Sequence, residues 1–180
     1  MKTISKLIFK LIGWKAIIKV DEPQKSVICV APHTSNWDFP IGKLYYWSLG
    51  RQSSFLIKKS WFVFPLGFFF KAMGGVPIDR SKRTSVTQQM VNEFNERETF
   101  HLAITPEGTR SLSTKWKMGF YHIAVKAKVP IQIAMIDYAK KEMGIVGIIY
   151  PTGNEEADFA KIQSFYKGVT ARYPKQFNLS

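Results

Sequence analysis

An α/β sandwich, with helices flanking a mixed, largely parallel sheet and one amphipathic helix ahead of it, is the fold this sequence predicts. Three observations carry that expectation. Short apolar runs rich in Ile, Val and Phe alternate with stretches whose apolar residues recur at helical spacing. Pro32, Gly50, Gly74 and Pro130 punctuate the joins. With 180 residues, 46% hydrophobic and 22% charged, the chain can build one real core and has an ordinary globular composition. No repeat, low-complexity tract or linker divides it, so a single domain is expected.

Residues 3 to 19 read as an amphipathic helix. Ile4, Leu7, Ile8, Leu11, Ile12 and Ile18 share one face, and Lys2, Lys6 and Lys10 lie opposite. Five lysines precede the first acid, Asp21, and Trp14 joins them. A basic amphipathic helix with a Trp suits a membrane surface; packing on the core is the alternative. The expected division is therefore a membrane-surface helix at 1–20 and a folded domain at 21–180.

The domain opens with a strand at 26–31, stopped by Pro32. Ser35 or Asn36 then caps a helix over 37–49. Pro40 is tolerated in its first turn, and Gly50 suits its end. A short strand follows at 53–57. Residues 60–73 form an irregular or helical aromatic segment, suited to lining an acyl tunnel, touching a bilayer or filling the core. Val76–Ile78 is extended. A helix at 84–97, a strand at 100–104, a helix at 119–128, strands at 130–136 and 144–150, and a helix at 154–173 capped by Asn154 complete the alternation.

The net charge of +13, from 26 Lys and Arg against 13 Asp and Glu, favours an anionic partner. Nucleic acid, an anionic bilayer and a phosphorylated substrate all qualify. No helix-turn-helix, RNA-recognition or zinc pattern supports nucleic acid, and none is expected as a partner. No run reaches the ~18 apolar residues needed for a span, so the protein is expected to be peripheral or monotopic. Lys6 and Lys10 also interrupt any signal-peptide core. The single cysteine, Cys29, lies in an apolar strand and reads as a buried, inert side chain. His101 and His122 show no paired metal-ligand spacing, and no metal is expected.

Three motif blocks carry the chemistry. The first is Ala31-Pro-His-Thr-Ser-Asn-Trp-Asp38. A histidine in a loop and a carboxylate in the next helical turn can form a base and its orienting partner. Removing a hydroxyl proton during acyl transfer needs a base that works near neutrality, and a carboxylate fixes its tautomer. Ser35 offers no alternative nucleophile, because the Gly-x-Ser-x-Gly elbow is absent. The second block is Gly74-Gly-Val-Pro-Ile-Asp-Arg80. Gly74 and Gly75 permit close backbone approach, and Arg80 at a strand end suits a phosphate unless Asp79 neutralises it. The third is Thr105-Pro-Glu-Gly-Thr-Arg-Ser111. Gly108 permits a turn with exposed amides, Arg110 adds charge, and Glu107 has no place in a pure anion site unless it orients Arg110 or another basic group.

Together these blocks resemble the glycerophospholipid acyltransferases, best known through the 1-acyl-glycerol-3-phosphate (lysophosphatidate) acyltransferases. The H-x-x-x-x-D motif is met by His33 and Asp38, the Gly-rich block by Gly74 to Arg80, and the Pro-Glu-Gly-Thr-Arg-Ser block by Pro106 to Ser111. Lys58, Pro65-Leu-Gly67, Lys117-Met-Gly119 and Val129-Pro-Ile131 are similar to further family segments. Thr105 and Gln132-Ile133 depart from the usual Phe and second proline. The resemblance implies that residues 21–180 are an acyltransferase domain at the cytoplasmic face of a membrane. It implies a catalytic pair of His33 and Asp38, with Lys58, Gly75, Arg80, Glu107, Gly108, Thr109 and Arg110 binding substrate. The implied donor is acyl-CoA or acyl carrier protein, the implied acceptor a lyso-lipid, and no cofactor is implied. Lysophosphatidate is the expected acceptor, with an amino-acid-containing lyso-lipid as the alternative.

Overall fold

The structure is a computed structural model that describes residues 2–79 and 85–179. Its strands are β1 (Lys15–Ile18), β2 (Lys25–Ala31), β3 (Ser54–Lys58), β4 (Gly75–Ile78), β5 (Phe100–Ile104), β6 (Ile131–Asp137) and β7 (Glu142–Ile149). They form one sheet in the order β1-β7-β6-β2-β5-β3-β4. Each adjacent pair is parallel except β6 and β7. The helices are α1 (Lys2–Leu11), α2 (Asp38–Leu49), α3 (Leu66–Ala72), α4 (Val86–Glu96), α5 (Gly119–Ala127) and α6 (Glu155–Ser164). This is the mixed, largely parallel α/β sandwich that the sequence predicts.

A central strand covered on both faces reads as a continuous apolar run, and β2 shows why. Val27, Cys29 and Ala31 pack with Met90 and Phe94 of α4 and Phe120 and Ile123 of α5. Ile28, pointing the other way, packs with Phe9 of α1 and Ile41 and Tyr45 of α2. Each such fully buried side chain contributes roughly 1.5–3 kcal/mol of apolar burial. The two cores clamp β2 in the middle of the sheet, and its carboxyl end becomes a fixed platform.

Three elements differ from the sequence expectation. The first helix ends at Leu11, and residues 15–18 form strand β1. Gly13 turns the chain at φ +75°, and β1 then pairs with β7 along its whole length. Pairing at a sheet edge satisfies backbone groups that the period-based reading leaves to a longer helix. The second helix carries Trp37 at its N-cap with no side-chain cap. Ser35 instead accepts from the Trp37 amide, 3.2 Å away. The last helix stops at Ser164, nine residues early. There the buried Tyr166 turns inward and donates to the Cys29 carbonyl at 2.7 Å. The Asn154 cap is present, accepting from the Ala157 amide.

The aromatic segment forms a short 3-10 turn at Lys59–Trp61 and then α3. It does not fill the core, since neither piece contains a buried residue. Phe64 is 94% exposed and Phe68 79%.

Candidate active site

β2 ends between β5 and β6, and its loop leaves through a cis Ala31–Pro32 peptide to reach His33. Crevices at the carboxyl ends of parallel strands are where α/β sheets bind ligands. Asp38 starts α2 directly above that end. Its carboxylate reaches back into the loop, where Oδ2 accepts from the amides of Thr34 at 2.9 Å and Ser35 at 2.8 Å. The same oxygen lies 3.1 Å from His33 Nδ1. Oδ1 accepts from the Tyr138 hydroxyl at 2.6 Å. Asp38 is only 4% exposed, so its charge is held by donors and not by water.

Glu107 comes from the loop after β5. It does not orient Arg110 in the manner the sequence suggests. Its Oε1 accepts from the His33 backbone amide at 2.9 Å. Burial pushes its carboxyl above the ordinary range, against the opposing pull of the loop amides and His33. Buried Oε2 has no hydrogen-bond partner among the described residues. Glu107 thus ties the third motif loop to the first.

A cavity of about 840 Å³ opens beside this cluster. Its lining includes His33, Asp38, Gly108, Arg110 and Lys117 among its polar residues and Phe39, Phe55, Leu56, Phe70 and Met143 among its apolar ones. Gly108 sits at φ +64°, where a side chain would be strained and would meet Lys117 at 3.0 Å. The motif glycine therefore turns the loop and leaves room for a lysine across it. Lys43 also reaches the cavity. Its Nζ donates to the Ser53 carbonyl at 2.8 Å, and burial lowers it to about 8.

The structure therefore brings together His33, Asp38, Glu107, Gly108 and Arg110. It does not bring Lys58, Gly75 or Thr109 into the cavity lining. Lys58 is exposed at the end of β3. Gly75 is buried against α3, where a Cβ would lie 2.8 Å from the Phe70 carbonyl oxygen. Thr109 is exposed and accepts from the Ser111 amide. Arg80 lies outside the described residues, and the Asp79 carboxylate lies 3.7 Å from Lys59. Cys29 is fully buried, which pushes its thiol up. His101 pairs with Ser26 Oγ at 2.8 Å, and His122 lies 3.7 Å from Glu155 on the surface.

Sequence reasoning missed Tyr138, Lys43 and Arg172, whose guanidinium lies 5.8 Å from the Tyr138 ring centre, and gave Lys117 no role. Lys117 stood in a recognised block, which was signal enough. Tyr138 follows β6 and Arg172 follows α6, and no local pattern marks either one.

Fold and cleft together define an α/β protein with a candidate site at the strand carboxyl ends. Residues 16–136, more than half of the chain, match the family model described as Acyltransferase. An uncharacterized acyltransferase of Schizosaccharomyces pombe is 35% identical over 116 residues, which is 59% of this chain and 40% of that protein. The chain thus matches less than half the length of that relative. The crystal structure of the 1-acyl-sn-glycerophosphate (LPA) acyltransferase PlsC from Thermotoga maritima has a similar fold, with a TM-score of 0.65 at 18% identity. That likeness covers 95% of this chain and 80% of the other. The chain belongs to the Acyltransferase family.

Proposed function

We propose that the protein works at a membrane surface, moving a fatty acyl group from a thioester to the free hydroxyl of a lyso-lipid. The preferred acceptor is 1-acyl-glycerol-3-phosphate, giving phosphatidate. The observation that carries this reading is the 3.1 Å contact between His33 Nδ1 and Asp38 Oδ2 in the lining of a mostly apolar cavity that Arg110 and Lys117 also line. With Nδ1 turned to the carboxylate, Nε2 is the ring nitrogen free to act as a base. The acceptor oxygen attacks the thioester carbonyl as its proton passes to Nε2. The carbon–sulfur bond then breaks, and the thiolate takes that proton from the imidazolium. Asp38 fixes the tautomer and stabilises the transient cation. No acyl-enzyme forms.

Arg110 and Lys117 supply positive charge for the acceptor phosphate, and Phe39, Phe55 and Phe70 suit an acyl chain. Glu107 keeps the base loop in register. The exposed apolar residues of α1 and of the α3 segment, with the +13 charge, suit peripheral or monotopic seating on an anionic leaflet. None of the described helices is long and apolar enough to cross a membrane.

The test is a thiol-release assay with acyl-CoA and acyl carrier protein donors against a panel of lyso-lipids. The expected result is fastest release with lysophosphatidate. Release with an amino-acid-containing lyso-lipid alone would replace the acceptor, and no release with any lyso-lipid would refute the reading. Arg110→Ala is expected to raise KM for lysophosphatidate about tenfold or more with little change in kcat, as removal of one charge-assisted contact should. An unchanged KM would remove that role.

A further inference from the structure

We propose that Tyr138 is a positioning residue for the His33–Asp38 pair, its hydroxyl holding the Asp38 carboxylate in the orientation that lets Oδ2 receive the imidazole. This rests on the general-base reading above. The two carboxylate oxygens divide the work. Oδ2 serves His33 Nδ1 and the amides of Thr34 and Ser35. Oδ1 is served from the opposite side by Tyr138, at 2.6 Å. A carboxylate pinned from one side only can rotate about its terminal torsion, which has a broad and shallow profile. A donor on the other oxygen removes that freedom.

The tyrosine is itself held in place. Its amide donates to the Thr170 carbonyl at 2.9 Å. Trp14 meets its ring edge-on, with centroids 5.1 Å apart, and the Arg172 guanidinium lies 5.8 Å from the ring centre. Burial and then the adjacent Asp38 both push the phenol up, so it stays protonated and able to donate. Tyr138 lies 100 positions from Asp38 and lines no part of the cavity. It therefore acts through the carboxylate and not on substrate.

Without the donor on Oδ1, the carboxylate is free to turn and Oδ2 no longer holds the imidazole in one orientation. Glu107, Arg110, Lys117 and Lys43 face the same site, and Arg172 faces Tyr138. All of them stay unchanged in the comparison, so the difference between variants isolates the phenol. Tyr138→Phe is expected to lower kcat about tenfold and leave KM for lysophosphatidate unchanged. Replacing Tyr138 by 4-fluorophenylalanine, which fills nearly the same space without the donor, is expected to lower kcat equally; it also carries the test should Tyr138→Phe not fold.

A Tyr138→Phe enzyme with wild-type kcat would overturn the proposal. So would a loss confined to thermal stability or KM, which would make Tyr138 a packing residue. His33→Ala run alongside keeps the two readings apart. An inactive His33→Ala beside a wild-type Tyr138→Phe sinks only the tyrosine, whereas an active His33→Ala sinks the base itself.

Discussion

His33 and Asp38 lie five positions apart, and the chain between them does most of the work of joining them. The loop amides of Thr34 and Ser35 fold onto Asp38 Oδ2, drawing the imidazole to the same oxygen. Because every participant is local, this contact is legible in the sequence. Glu107 is legible only in part. Its place in the third motif singles it out, but its partner is a backbone amide 74 positions away, which no side-chain pattern announces. Tyr138 is further out of reach, since only the sheet order brings the loop after β6 beside the loop after β2. Arg110→Ala belongs to this scale: the arginine borders the cavity, so its loss should appear in acceptor KM and not in the chemical step.

At the scale of elements, α1 separates what periodicity can and cannot tell. The apolar stripe is real, but it faces outward. Leu11 is 75% exposed and Leu7 58%, while Ser5 and Phe9 supply the contact with the core. Periodicity locates an apolar face without saying what covers it. It also misses where the helix stops, because β1 exists only by virtue of pairing with β7. In the proposed seating, Leu7 and Leu11 enter the lipid interface. Leu7→Glu with Leu11→Glu should lower partition onto anionic vesicles at least tenfold, the loss expected from two buried leucines. Solution turnover of a short-chain, monomeric acceptor should persist. Equal vesicle sedimentation by variant and wild type would show that this face does not meet lipid.

The molecule as a whole carries a pH signature away from the site. His101 is partly buried in the sheet, beside Ser26 and Glu22. Burial, reinforced by the Arg51 charge, lowers it from 6.5 to about 4. Below 6.5 the unfolded chain takes up this proton while the folded one resists. The stability linked to neutral His101 is therefore complete above about 6.5, falls as pH drops toward about 4, and changes no further below that. His101→Gln should flatten the Tm profile across that window relative to wild type. Parallel profiles would mean that His101 titrates normally in the fold. The α/β class was legible from alternation alone, because each buried strand and amphipathic helix carries its own period. The strand order, which decides which loops meet, was not.

The central claim is that the position 33 imidazole takes the acceptor proton. The most direct measurement is the single-turnover rate of acyl transfer to lysophosphatidate by His33→Ala, with circular dichroism and Tm recorded on the same sample. The account predicts a fold indistinguishable from wild type and a rate lower by about 10³-fold or more. A folded His33→Ala enzyme that transfers acyl groups at close to the wild-type rate would contradict it.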